Sequence, residues 1–358
     1  MSAGPLSAAG SRPAVDFGRP QLTLRTGPLS FRVPRRTQVV VGALSAVAIA
    51  IALFSLASGS YHLSLGQVVG ALTGAEGGFV YTVVVEWRLP RVILAGLFGI
   101  GLGLAGAIFQ SLTRNPLGSP DVIGFDTGAY TGALLVMLVL HASGLYAVTV
   151  GAIAGGLLTA AVVYLLAYRQ GVQGFRLIIV GIGLTAMLTS VNTWLLLRAN
   201  PEEAVQASIW GAGTLGSSDY SQVVVAVIAF AVLFSAAGLL GRGMRALELG
   251  DDAGRQLGIR AERTRLLLVV VGVGLSGTVT ALAGPIAFVA LSAPQIAKRL
   301  TRSAGVTLGA SAATGAVLLL ASDWLAQHAL GETLPVGLVT VVLGGAYFVW
   351  LLVVEGKR

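Results

Sequence analysis

The sequence predicts an all-α, polytopic membrane protein of about ten transmembrane helices, and three observations carry that prediction. The 358-residue chain is 55% hydrophobic and only 11% charged, whereas a soluble domain carries about 25% charged residues. Apolar runs of about 20 residues, the length that crosses a bilayer, recur from residue 38 almost to the C-terminus. Glycine is plentiful, at 49 residues, and supplies the small surfaces on which membrane helices pack backbone to backbone.

Taken in order, residues 1–37 form a polar, Pro-bearing tail with Arg12, Arg19, Arg25, Arg32, Arg35 and Arg36. Its composition suits a disordered cytoplasmic extension better than a signal peptide, whose basic region is shorter. The transmembrane domain then occupies 38–358. Spans are expected near 38–57, 91–112, 124–141, 145–168, 176–197, 221–241, 264–283, 286–300, 305–328 and 334–354, the third and eighth being short or interrupted. The first run is long enough to cross, so the small residues of "SLASGS" after it are not read as a cleavage site.

An even number of spans places both termini on one side, and the positive-inside rule chooses the cytoplasm. In that orientation 20 of the 23 basic residues lie inside. The exceptions are Arg88, Arg91 and Arg198. Glu202 and Glu203 lie close to Arg198 in sequence and Glu86 lies close to Arg88, but Arg91 has no local partner. Both Arg88 and Arg91 belong to "VEWRLPRVIL", flanking Pro90 where the second span begins. The net charge of +8 is thus topological and does not point to nucleic acid.

Three polar interruptions stand apart from ordinary membrane helix. In "SLTRNPLGSPDVIGFDTGA", 111–129, Pro116 and Pro120 break helical hydrogen bonding, while Asn115, Asp121 and Asp126 suit turns and caps. Two readings stand here, a cytoplasmic loop and a re-entrant segment, because irregular backbone at membrane depth has to be buried in protein or line a cavity. The stretch "RALELGDDAGRQLGIRAERTR", 245–265, is the longest charged segment between spans. It reads as two short helices separated at Gly258, with Asp251 and Arg255 spaced for helix support. Leu247, Leu249, Ala253, Leu257 and Ile259 give it an apolar component able to dock on a soluble partner. In "ALAGPIAFVALSAPQIAKRL", 281–300, Pro285 and Pro294 imply half-helices or a sharp turn.

Several chemistries find no support in the residues. "GLGLAG" (101–106), "GVGLSG" (272–277) and the looser "GIGLTA" (181–186) match a dinucleotide fingerprint only in letters, since each lies within an apolar run and lacks the strand that the motif requires. Gly99, Gly103, Gly106, Gly181, Gly272 and Gly277 read instead as helix-contact positions. No GxxxxGK[ST], GxSxG or HExxH occurs, there is no Cys, and His62, His141 and His328 are scattered. No metal cluster or catalytic constellation can be assembled from these, so the chain is not read as an enzyme. An ion-coupled secondary transporter would need intramembrane carboxylates, for which Asp126 and Asp323 are the candidates, both near span ends.

The three interruptions, together with "RLPR" and "LPVGLVTVVLGGAYFVWLL", occur in the order found in the permease subunits of iron-siderophore and vitamin B12 ABC importers. The chain resembles that family over about residues 40–355. The resemblance implies a ten-helix, type II importer permease that pairs with a second permease, identical or homologous. Two cytoplasmic ATPase subunits would hold ATP and Mg²⁺, and this chain would bind no cofactor itself. A substrate-binding protein would deliver the cargo from outside, a ferric siderophore as the family's commonest, with cobalamin and haem as the alternatives. It further implies that Arg88 and Arg91 meet glutamates of the binding protein. A third outward arginine is usual after the Asp near the end of the ninth helix, and "SDWLAQH" places Gln327 there. Segment 245–265 resembles the family's coupling helices, which assigns ATPase contact to Leu249, Gly250, Ala253, Leu257 and Gly258. The family's inner gate maps to Gly174 and Phe175 in "GVQGFRL", where Phe175 is bulkier than the small polar residues often found.

Overall fold

A computed structural model describes residues 21–26, 29–142, 144–168, 174–328 and 334–355. Strands β1 (Gln21–Thr26) and β2 (Leu29–Pro34) pair antiparallel, with Gln21 opposite Pro34 and Thr26 opposite Leu29. The two strands fall within the tail expected to be disordered over 1–37, of which residues 1–20 lie outside the described residues. Leu22 and Leu24 alternate with polar residues, as do Leu29, Phe31 and Val33, and that two-residue period is a strand pattern.

After Pro34, everything among the described residues is helical or connects helices. Among the described residues, ten helices match the ten expected spans. Seven are long and apolar enough to cross a bilayer: α1 (Arg35–Ala57), α3 (Phe79–Thr113), α6 (Leu145–Ala167), α7 (Gly174–Arg198), α9 (Tyr220–Glu248), α11 (Ala261–Ala283) and α13 (Leu308–His328). Two shorter apolar helices, α5 (Phe125–Val139) and α14 (Val336–Glu355), and the 13-residue α12 (Val289–Thr301) complete the ten. Four further helices join them: α2 (Leu65–Thr73), α4 (Pro120–Ile123), α8 (Pro201–Gly211) and α10 (Asp251–Gln256).

The centre of the bundle is α3, whose most apolar stretch is 78% buried. It packs against α9, α11, α12 and α13. It also starts earlier than the apolar run suggests, so Arg88 and Arg91 lie within a continuous helix and not at its entrance. The backbone is π-helical over Thr82–Arg88, with Leu89 donating to the Val84 carbonyl five residues back. Pro90 follows at once; it has no N–H and would crowd the carbonyl of residue 86 in a regular helix. A π stretch here lets the helix continue through the proline.

Where α3 crosses its neighbours, glycine is required by proximity. A Cβ on Gly99 or Gly103 would strike the backbone of Gly315 or Ser311 in α13, and one on Gly106 would strike the Ala290 carbonyl in α12. Gly272 lies under the Phe109 ring and Gly181 against the backbone of Ile123. Five of these six glycines therefore sit in close contacts, while Gly277 faces open space.

The first polar interruption is re-entrant. Phe288 donates its N–H to Asp121 at 3.0 Å, and Ala290, two residues on, packs against Gly106, seven residues from the end of α3. Ile123 likewise meets Gly181, seven residues into α7. Seven residues of helix rise about 10 Å, so α4 lies well inside the bundle, buried in protein as irregular backbone must be. The turn before α12 is its counterpart, with Gly284 at φ +76° packed so closely on the Trp210 carbonyl that no side chain fits.

Candidate functional site

At the end of the bundle that carries few basic residues, α1, α3, α13 and the 212–219 connection converge on the two arginines predicted from "RLPR". Arg88 donates from Nη1 to the Leu56 carbonyl and from Nη2 to the Tyr61 carbonyl, each at 2.8 Å. It thereby caps the end of α1, whose last carbonyls have no helical partner. Arg91 grips Asp323 side-on, Nε lying 3.0 Å and 3.1 Å from the two carboxylate oxygens and Nη2 lying 2.8 Å from Oδ1. The side chain of Asp323 is 2% exposed and that of Arg91 is 15% exposed. Gln327, one turn along α13, donates to Asp323 Oδ2 at 2.8 Å. A buried carboxylate needs this level of pairing, since an unpaired one is costly.

Arg88, Arg91 and Gln327 line a single small cavity of about 120 Å³ with Ser55, Trp87, Leu215 and Ser218. The structure thus brings together the two arginines and the residue standing in for a third. What the sequence could not reveal is the partner of Arg91, because Asp323 lies 232 residues away. Arg198 stacks over Trp194, 5.4 Å from the ring centroid, while Glu203 lies 3.6 Å from His141.

At the opposite, basic end, the expected pair of short helices over 245–265 is a single short helix, α10, set between the end of α9 at Glu248 and the start of α11 at Ala261. Two glycines with left-handed φ delimit the segment, Gly250 at +116° and Gly258 at +81°. Asp251 does not pair with Arg255. It accepts from Arg265 in α11 and, at 3.3 Å, from Arg114 at the end of α3; Arg255 lies 3.8 Å from Asp252. Arg114 also donates to the Leu247 carbonyl at 2.7 Å, and Ser111 to Glu248 at 2.9 Å.

The segment is thus fastened to α3 and α11 while its apolar tips stay uncovered. Leu249 is 72% exposed and Leu257 63% exposed; Gly258 is exposed, and Gly250 and Ala253 are half-buried. Leu247 is buried, and Ile259 packs against the core. A cavity of about 580 Å³ opens beside this segment, lined by Gln110, Ser111, Glu248, Gln295, Lys298 and Tyr347 among others.

Gly174 opens α7 so close to the backbone of Thr113 that a Cβ would clash. Phe175 beside it is 73% exposed; residues 169–173 lie outside the described residues. The candidate carboxylates are structurally committed, Asp126 accepting from Thr280 at 3.1 Å and Asp323 held by Arg91. No group of three His, Asp or Glu that could hold a metal ion occurs among the described residues.

A bundle of ten membrane helices around one buried glycine-rich helix, with re-entrant segments and a fastened amphipathic element at the basic end, defines a transport permease. The chain belongs to the FecCD transport family, whose model matches residues 47–354. It is 47% identical to the ferric enterobactin transport system permease protein FepG of Escherichia coli K12, over 91% of this chain and 99% of that protein. Identity is 33% to the Fe(3+)-citrate import system permease protein YfmE of Bacillus subtilis 168, over 91% and 98%. The fold matches that of a metal-chelate type ABC transporter solved in an inward-facing conformation, with a TM-score of 0.75, 24% identity and coverage of 88% and 99%.

Proposed function

We propose that this chain is the membrane-spanning permease subunit of an ATP-driven importer for a ferric siderophore, and that it carries no catalytic site of its own. The observation that carries the reading is the end-to-end similarity to FepG, which includes both arginines' helix and the segment around α10. The alternative cargoes of the family, cobalamin and haem, are less favoured because the relatives named above handle ferric chelates.

The basic end faces the cytoplasm, as the distribution of Lys and Arg requires, and both termini lie there. Two ATPase subunits dock on that face at Leu249, Gly250, Ala253, Leu257 and Gly258. A substrate-binding protein docks on the other face at Arg88 and Arg91, and a second permease completes the pathway. Closure of the ATPases on ATP and Mg²⁺ displaces α10, and the displacement passes through the Asp251–Arg265 and Asp251–Arg114 pairs into α11 and α3. The 580 Å³ cavity beside Glu248 lets that end move without breaking close packing. Gly174 and Phe175, against the end of α3, are positioned to respond as the cytoplasmic gate.

Affinity purification from membranes tests the assembly and uptake tests the cargo. The tagged permease is expected to retain an ATPase subunit, and cells lacking the permease to lose uptake of a ⁵⁵Fe-loaded catecholate but not of cobalamin. Recovery without any ATPase, together with uptake that persists after ATP depletion, would remove the importer reading.

A further inference from the structure

We propose that the β1–β2 hairpin lies on the cytoplasmic leaflet of the membrane, with one face seated in lipid, and anchors the base of α1 through anionic headgroups. The proposal takes from the reading above only that the basic end is cytoplasmic. The hairpin precedes residue 47, where the match to the family begins, so it lies outside the part of the chain that the family shares.

Register is the first argument. Residues opposite one another in an antiparallel pair share a face of the ribbon. Leu22 with Val33, Leu24 with Phe31 and Thr26 with Leu29 therefore make one face. Gln21 with Pro34, Thr23 with Arg32 and Arg25 with Ser30 make the other. Thr26 alone interrupts the apolar character of the first face, and the second carries two arginines. A lone two-stranded ribbon is marginal in water, so an apolar face of this kind needs a cover. Each strand has six residues, which span about 20 Å, too little to cross a hydrocarbon core of about 30 Å. An amphipathic element of that length lies in the interface.

Position selects the occupant. β2 ends at Pro34 and α1 begins at Arg35, so the ribbon joins a membrane-crossing helix without a linker. Arg36 donates from Nε to the Leu300 carbonyl at 2.8 Å, which ties this junction to the end of α12. Beside Leu300, Arg299 stacks over Trp350 of α14, 5.3 Å from the ring centroid, and Trp350 is exposed. An exposed tryptophan beside an arginine marks the headgroup level, and the hairpin starts from that level. Charge agrees. Arg35 and Arg36 at the junction are exposed, as are Lys298, Arg299 and Arg302 at the end of α12. Basic residues gathered at a membrane boundary recognise anionic lipid headgroups. A soluble partner would satisfy the charges, yet the apolar cover nearest to the other face is the bilayer that α1 enters.

The chain contains no Cys, so single cysteines can report where the hairpin sits. Leu24→Cys and Phe31→Cys on one face, and Thr23→Cys and Ser30→Cys on the other, are labelled with an environment-sensitive fluorophore in the full-length permease. The carrier is a nanodisc of phosphatidylcholine and phosphatidylglycerol. Lipids spin-labelled near the headgroup are expected to quench the first face about threefold more than the second, as befits an element seated about 5–10 Å into the boundary. Iodide in solution should show the reverse order. Omitting phosphatidylglycerol, or Arg25→Gln with Arg32→Gln, is expected to reduce the contrast about twofold. Equal quenching of both faces overturns the proposal, as does a contrast indifferent to both headgroup charge and the two arginines. Shielding of the first face that arises only on adding ATPase subunits, or only in discs holding two permeases, overturns it in favour of a protein occupant. Sidedness is read separately, since Ser30→Cys should react with a membrane-impermeant thiol reagent in inverted vesicles and not in intact cells. Reaction from outside instead overturns the orientation on which the proposal rests, whatever the quenching shows.

Discussion

At the scale of single residues, the bundle depends as much on absent side chains as on present ones. Gly106 touches the Ala290 carbonyl, so Gly106→Val has to push α12 away from α3. Overpacking of this kind costs about 1–3 kcal/mol, and a clear fall in the detergent unfolding temperature is expected. Gly277→Ala meets nothing within 4 Å and replaces a poor helix former by the best one, so its unfolding temperature should hold or rise. The motif letters around these two glycines are alike, and only the neighbours distinguish them. Asp219 supports a second prediction. Its carboxylate caps α9, accepting from the Gln222 N–H at 2.9 Å and from the Ser221 hydroxyl at 2.7 Å. The bond from the Gln222 backbone, followed by that from Ser221, holds its pKa below the ordinary carboxylate value. A depressed carboxylate contributes stability above its unfolded pKa, near 3.9, and loses it as pH falls through the lower folded value. Asp219→Asn keeps a capping oxygen and is expected to flatten that acid limb in a pH series of thermal melts. Asp219→Ala should cost about 1 kcal/mol at neutral pH.

At the scale of elements, the long apolar runs were legible and the short connecting helices were not. Spans are set by about 20 apolar residues, which is a property of the local sequence. The early start of α3 is not legible in the sequence because "FVYTVVVEWRLP" contains Glu86, Arg88 and a proline, all of which argue against a buried helix without the π stretch and the distant Asp323. The sequence does carry a signal for α2. Ser64 and Gln67 form a reciprocal capping box, the S-x-x-Q pattern that marks a helix start. The segment around α10 was found by its charge, but its internal pairing was not, because Arg114 and Arg265 reach Asp251 from other elements. Its fastening leads to a prediction. Leu249→Glu with Leu257→Glu changes only exposed side chains, so the permease should fold normally yet lose most ATPase association in a pull-down. Gly250→Val acts differently, since φ +116° with ψ 158° is a region open essentially to glycine alone. It should strain the entry to α10 by about 1–3 kcal/mol and reduce transport even where assembly survives. Wild-type transport by that variant would detach α10 from coupling.

On the scale of the whole molecule, the helices separate into a buried core and a sheath. The most apolar stretch of α1 is 11% buried and that of α7 17%, against 78% for α3, so the sheath is turned towards lipid or a second subunit. The sequence announced the membrane and the number of crossings through composition, but could not sort core from sheath, because both kinds of helix are apolar on every face. The same sorting bears on the energy source. A secondary transporter would place ionisable groups where ions can reach and leave them. Here Asp126 is buried against Thr280 and Asp323 is paired with Arg91, so both candidate carboxylates already have structural partners. Proteoliposomes containing the assembled importer, with ATP on the ATPase side and no ion gradient, are therefore expected to take up ferric chelate. The same vesicles with a proton or sodium gradient and no ATP should take up none. Asp126→Asn removes the carboxylate's charge and keeps an acceptor for Thr280, and it should leave ATP-dependent uptake intact. Uptake driven by the gradient alone, and abolished by Asp126→Asn, would transfer the chain to the ion-coupled class.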